Sequence, residues 1–202
     1  MNHYENDEKF TDSGENADRP LFEELCEAHY RESAFEGPFG FLIGGMALPS
    51  KDDLAREYFE AANHLLERIR QCEVEDFTLT NPILFLYRHS IEMLLKSRLV
   101  DPPKRHGLEG LVEAFVAMIK SRFNQDVPGW IVHRIKELAS IDPESTAFRY
   151  GESYDKARKQ HIPVDGELHI DLNYLQEVMV ALHRALATVP FPDGSCARPL
   201  SG

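Results

Sequence analysis

Apolar residues recur at steps of three and four along five stretches of this chain, the spacing of helices that each bury one face. Ser50 follows Pro49 and stands three residues before Asp53, a capping-box-like pair. It predicts a helix running to about Cys72 with Leu54, Tyr58, Ala61, Leu65 and Ile69 inside. Asn81 and Pro82 predict the cap and first position of a second helix, which Asp101-Pro102-Pro103 stops near Val100. A third helix is predicted over Gly107–Phe123, with Leu108, Leu111, Val112, Phe115 and Ile119 on one face. A fourth covers Pro128–Ser140 with Ile131, Ile135 and Leu138. A fifth covers Asp171–Ala187 with Leu172, Leu175, Val178, Leu182 and Leu186.

The second helix is the most apolar. Ile83, Leu84, Tyr87, Ile91, Leu94, Leu95 and Leu99 define its inner face, and its polar stripe is narrow. Arg88, Glu92 and Lys96 stand four apart and line up, with His89 one turn from Glu92. On a solvated face such pairs are worth a few tenths of a kcal/mol each. So narrow a stripe instead suggests a central helix, whose charges face a partner, a cleft or a dimer seam.

Between the fourth and fifth helices, His161-Ile-Pro-Val and Glu167-Leu-His-Ile flank Asp165-Gly166, a hairpin signal. The expected fold is therefore all-α, an up-and-down bundle of about five helices with a small β-hairpin insertion. Residues 1–20 read as a disordered acidic tail. Residues 21–49 read as an N-terminal arm, holding a short amphipathic helix at Leu21–His29 and an apolar, glycine-rich stretch at Glu36–Pro49. The bundle spans 50–189, and 190–202 reads as a flexible C-terminal tail.

Charge changes the picture in one respect. Of the net charge of −12, residues 1–36 hold −8, from eleven Asp/Glu against three Lys/Arg, leaving −4 for the other 166 residues. A body this mildly acidic has no broad basic surface for duplex binding, although a local basic pocket remains compatible with it. No apolar run approaches the ~20 residues that span a bilayer, so no membrane contact is expected. The N-terminus has no signal-peptide pattern, and Cys26, Cys72 and Cys196 lie far apart without CxxC. A cytoplasmic protein is expected.

Nine histidines raise the question of a metal. HExxH is absent, as are the two Glu-x-x-His copies of a di-iron bundle, so no metal or cofactor is expected. GxSxG is absent too, which gives a hydrolase triad no support. A second cluster does carry chemistry. His106 stands beside Lys104 and Arg105 at the entry to the third helix, and Asp142 to Tyr150 (DPESTAFRY) follows the fourth. Alternation in Phe148-Arg149-Tyr150 predicts two inward aromatics, with Arg149 facing a phosphate or pinned to Glu92 or Asp142.

Together these residues resemble a known group. Phe85-Leu-Tyr-Arg-His-Ser-Ile-Glu-Met-Leu-Leu-Lys96, then His106-x-Leu-x-x-Leu111, then Asp142-Pro-x-Ser-x-x-Phe-Arg-Tyr150 is similar to bacterial HEPN-domain proteins over roughly residues 50–187. The most specific element is Glu92-x3-Lys96. The resemblance implies an all-α bundle that commonly forms a homodimer. Many HEPN proteins are metal-independent ribonucleases in toxin–antitoxin, CRISPR or phage-defence systems, and others bind RNA or nucleotides without cutting. The Arg-x4–6-His signature of the nucleases is missing here. The resemblance thus implies a module that binds RNA, a nucleotide or a protein partner. Only Glu92 and Lys96 carry over by motif, and the residues themselves add Arg88, Asp142, Arg149 and Tyr150 to Lys96 as the candidate ligand site. If it is a ribonuclease, His106 or His89 has taken over as general base beside Glu92, and Arg88 or Arg149 steadies the phosphate. From a different class, a helical adaptor would use the polar stripe as a dimer seam.

Overall fold

The computed structural model describes residue 22 and residues 48–155, 159–163 and 167–195. The acidic tail, nearly all of Leu21–His29, most of the Glu36–Pro49 arm and the Asp165-Gly166 turn lie outside the described residues. The chain divides after Leu48, and the bundle belongs to the unit beginning at Pro49.

Six helices are found among the described residues: α1 (Lys51–Arg70), α2 (Asp76–Arg98), α3 (Leu108–Phe123), α4 (Gly129–Ile141), the single turn α5 (Ala147–Tyr150) and α6 (Leu172–Ala187). The fold class is all-α. Ser50 caps α1 as its sequence predicts: its Oγ accepts from Asp53 N at 3.1 Å, and Asp53 Oδ2 accepts from Ser50 N at 3.2 Å. Asp171 likewise caps α6 through Asn173 N and Tyr174 N.

Three expectations need correction. First, α2 begins at Asp76 rather than Pro82, with Pro82 inside the helix. Most of the leading turns are exposed, so the carbonyl deprived of its partner by the proline can be hydrated. Asp76 holds the start by accepting from Phe77 N at 2.7 Å. Second, the fully buried face of α1 is Ala55, Phe59, Ala62 and Leu66, while Leu54, Leu65 and Ile69 flank it half-buried. Alanines at 55 and 62 allow α1 and α2 to approach closely, close enough for Ser90 Oγ to donate to Ala55 O at 2.7 Å.

Third, the hairpin expected about Asp165-Gly166 is not supported. Gln160–Pro163 (β2) pairs instead with Glu152–Asp155 (β1), antiparallel, Ser153 opposite Ile162. Residues 167–170 are exposed and irregular. A ladder upstream leaves them no strand partner.

The helices meet around α2. Tyr87 on α2 is buried, and its hydroxyl donates to Asn63 Oδ1 of α1 at 2.7 Å. Gln176 Nε2 of α6 donates to the same oxygen at 2.8 Å. At the other end of α2, Arg98 pairs with Asp52 at 2.7 Å and donates to the carbonyls of Leu186 and Ala187. Thus α1 runs antiparallel to both α2 and α6. No helix among the described residues is long and apolar enough to cross a membrane.

Candidate functional site

The polar stripe of α2 is not solvated: Arg88 and Glu92 are both 0% exposed, and Lys96 is buried. Charges inside a core persist only when paired and hydrogen-bonded, and the guanidinium of Arg88 organises the pairing. Its Nη1 donates to Glu92 Oε2 at 3.0 Å. Its Nε donates to Asp142 O at 3.0 Å and lies 3.2 Å from Asp142 Oδ2. Its Nη2 donates to His106 O at 2.8 Å. One side chain therefore ties α2 to the loop before α3 and to the end of α4. Two fixed cations, Arg88 and Lys96, balance two carboxylates, Glu92 and Asp142.

Asp142 does a second job. Its Oδ1 accepts from Thr146 N at 2.7 Å and Ala147 N at 2.9 Å, which folds the chain into α5.

Glu92 is the centre of the cluster. Its Oε1 accepts from Lys96 Nζ at 2.7 Å and meets His106 Nδ1 at 2.8 Å, while His89 Nδ1 stands 3.8 Å from Oε2. Burial pushes the Glu92 carboxyl up, but its contacts with His89, Lys96 and His106 outweigh that and hold it at about 2. It is therefore a carboxylate at neutral pH. A carboxylate only accepts hydrogen bonds, so His106 Nδ1 carries a hydrogen, and in the neutral ring Nε2 keeps its lone pair. The His106 side chain is 59% exposed. The result is a largely exposed histidine oriented at Nδ1 by a buried acid. That is the arrangement of a general base.

The two candidate histidines differ in their surroundings. His89 is largely enclosed, edge-on to Tyr58 at 4.6 Å and stacked on Phe85 at 5.6 Å. His106 sits in a loop with Lys104 and Arg105, which are exposed like it.

The chain matches no protein-family model, no curated protein and no solved structure.

The structure brings together Arg88, Glu92, Lys96, His106 and Asp142, which lie on three separate segments. Arg149 and Tyr150 stand to one side. Neither expected anchor for Arg149 is used, because Glu92 and Asp142 both pair with Arg88. Arg149 Nε donates to Ser145 O at 2.5 Å, and its guanidinium lies over the rings of Phe85 and Tyr150. The inward pair of aromatics also fails. Phe148 is buried but Tyr150 is 66% exposed, because a helical turn does not alternate faces as an extended segment does.

Sequence reasoning missed Phe85, whose place inside the motif was the available signal. It missed Ser145 as well, a buried residue at φ 61° whose carbonyl sets Arg149. A second buried polar group, Asp52, Arg98 and His183, was also missed. His183 is 2% exposed and stacks on Phe59 at 4.2 Å, and neither ring nitrogen has a hydrogen-bond partner. Among the described residues, no group of three or more His, Cys, Asp or Glu side chains could hold a metal ion. A cavity of about 450 Å³ between α3 and α4, lined by Val112, Val116 and Lys136 among others, includes none of the cluster.

Proposed function

We propose that this chain is a HEPN-like helical module that acts on RNA, with His106 as the general base and Glu92 as the residue that positions it. The observation carrying this reading is the 2.8 Å contact from Glu92 Oε1 to the Nδ1 of an exposed histidine. In this scheme His106 Nε2 takes the proton of a ribose 2′-hydroxyl. The 2′ oxygen attacks the adjacent phosphorus, the P–O5′ bond breaks, and the 5′ oxygen leaves with a proton from the imidazolium or from water. Arg88 is enclosed by its own chain, so the exposed Arg149, beside Phe85, is the arginine available to a neighbouring phosphate of the strand. A homodimer in a toxin–antitoxin or phage-defence setting is the biological context that the HEPN resemblance suggests.

The test is cleavage of total RNA and of a tRNA pool in EDTA by wild type, His106→Ala and Glu92→Gln. Cleavage lost in His106→Ala and cut at least tenfold in Glu92→Gln is the expected outcome. Equal cleavage by all three proteins overturns the assignment of His106.

A second reading has its own support. The Arg-x4–6-His signature is absent, and the buried arginine of the cluster is consumed by internal partners. In that reading the module binds RNA or a nucleotide without cutting. Binding that weakens steeply with salt, without cleavage, would favour it. Absence of both activities, with a stable self-association, would favour the adaptor.

A further inference from the structure

We infer that Tyr150, Arg149 and Phe85 form a stacking platform for an unpaired nucleobase, so that the site takes single-stranded rather than duplex RNA. The inference rests on the RNA reading above and deepens it.

Phe85, His89, Glu92 and Lys96 fall at i, i+4, i+7 and i+11 of α2 and so share one face. At one end of this face stands the Glu92–His106 pair. At the other, the guanidinium of Arg149 lies 5.8 Å from the centre of the Phe85 ring and 5.2 Å from that of Tyr150. Phe85 in turn stacks on His89 with the planes 15° apart. Glu92 is two helical turns beyond Phe85, about 10 Å along the axis. A short stretch of extended strand spans that distance.

The platform is held in place and left open. The Ser145 carbonyl fixes Arg149 at its Nε, and Tyr150 closes α5 immediately before Gly151, whose φ of 72° turns the chain away. Arg149 lies against Tyr150, yet the tyrosine remains 66% exposed. Bases that are splayed out of a strand stack on such aromatic and guanidinium planes, whereas a duplex keeps its bases inside. The charge balance points the same way. A body at −4 outside its first 36 residues has no broad basic surface for the phosphates of a duplex, and stacking adds affinity that does not depend on one.

The test uses the full-length protein and a short 2′-O-methyl oligonucleotide, which has no free 2′-hydroxyl and cannot be cut. It carries 2-aminopurine at one position and is offered single-stranded or annealed to its complement. Anisotropy gives affinity, and quenching of 2-aminopurine reports stacking. The expected result is quenching with the single strand, and binding about tenfold weaker for the duplex, the size of one lost stack. Tyr150→Ala is expected to weaken single-strand binding about tenfold and remove the quenching, and Tyr150→Phe to restore both.

Quenching and affinity unchanged in Tyr150→Ala, or equal binding of the duplex, overturns the platform while the RNA reading stands. Binding of neither strand by wild type, together with no cleavage of natural RNA, overturns both.

Discussion

Arg88 answers three acceptor groups in three directions, and a lysine has no planar fork with which to do the same. Arg88→Met strands Asp142 in the core without its cation and leaves the buried Glu92 with Lys96 alone. The expected loss is about 3–5 kcal/mol of unfolding free energy, read as a lower urea midpoint. Arg88→Lys should recover only a minor part. If Arg88→Met unfolds with wild-type stability, the cluster does not hold the three segments together. The line of Arg88, Glu92 and Lys96 was legible in the sequence because it is a property of one helix. Its burial was not. Asp142 and His106 lie 54 and 18 residues from Arg88, and only packing brings their carbonyls to its guanidinium.

At the level of elements, local signals succeeded where they act locally. The Ser50–Asp53 box forms as its spacing predicts, and Ser50→Ala should cost about 1 kcal/mol in thermal or urea unfolding. A loss below a few tenths would mean that α1 is held by its contacts with α2 alone. Periodicity suffices for the inner faces of α3 and α2, because Leu108, Leu111, Phe115 and Ile91 are large and recur at helical spacing. In α1 the same pattern points one residue away from the buried face. Pattern reading follows the large side chains, whereas the close contact with α2 selects Ala55 and Ala62. Asn81-Pro82 carries the signal of a helix start, yet the six residues from Asp76 to Asn81 are already helical and carry the helix through it. The strand at Gln160–Pro163 was found with the wrong partner, since Asp165-Gly166 looks like a turn and nothing local marks Glu152–Asp155 as its mate.

For the whole molecule, two buried groups each contribute a slope to the dependence of stability on pH. Burial pushes the His183 imidazole down to about 4, with Asp52 opposing and Arg98 adding to the shift. The fold therefore favours the neutral ring. As pH falls from about 6.5 toward 4, the unfolded chain takes up this proton first and stability drops by about 3 kcal/mol. Glu92 acts lower on the scale. Its carboxyl is held at about 2, so its contribution is full above about 4.5 and is lost as pH falls toward 2. Urea unfolding across pH 7 to 3 should show both slopes, and His183→Phe should flatten the part above pH 4.5. An unchanged profile in that variant would assign the upper slope to other groups.

Sequence alone determined the helical class, the start of α1 and the position and limits of α3 and α6. It also put a charged line on the most apolar helix, because caps and periodicity act over a few residues. Only the tertiary structure decided that this line is buried and that Asp142 and the loop at His106 close over it. The structure likewise leaves one nitrogen of His106 beside a carboxylate and lays Arg149 against aromatic rings. Those outcomes depend on which segments meet and which groups lose their water. That is a property of the packed molecule and not of any single helix.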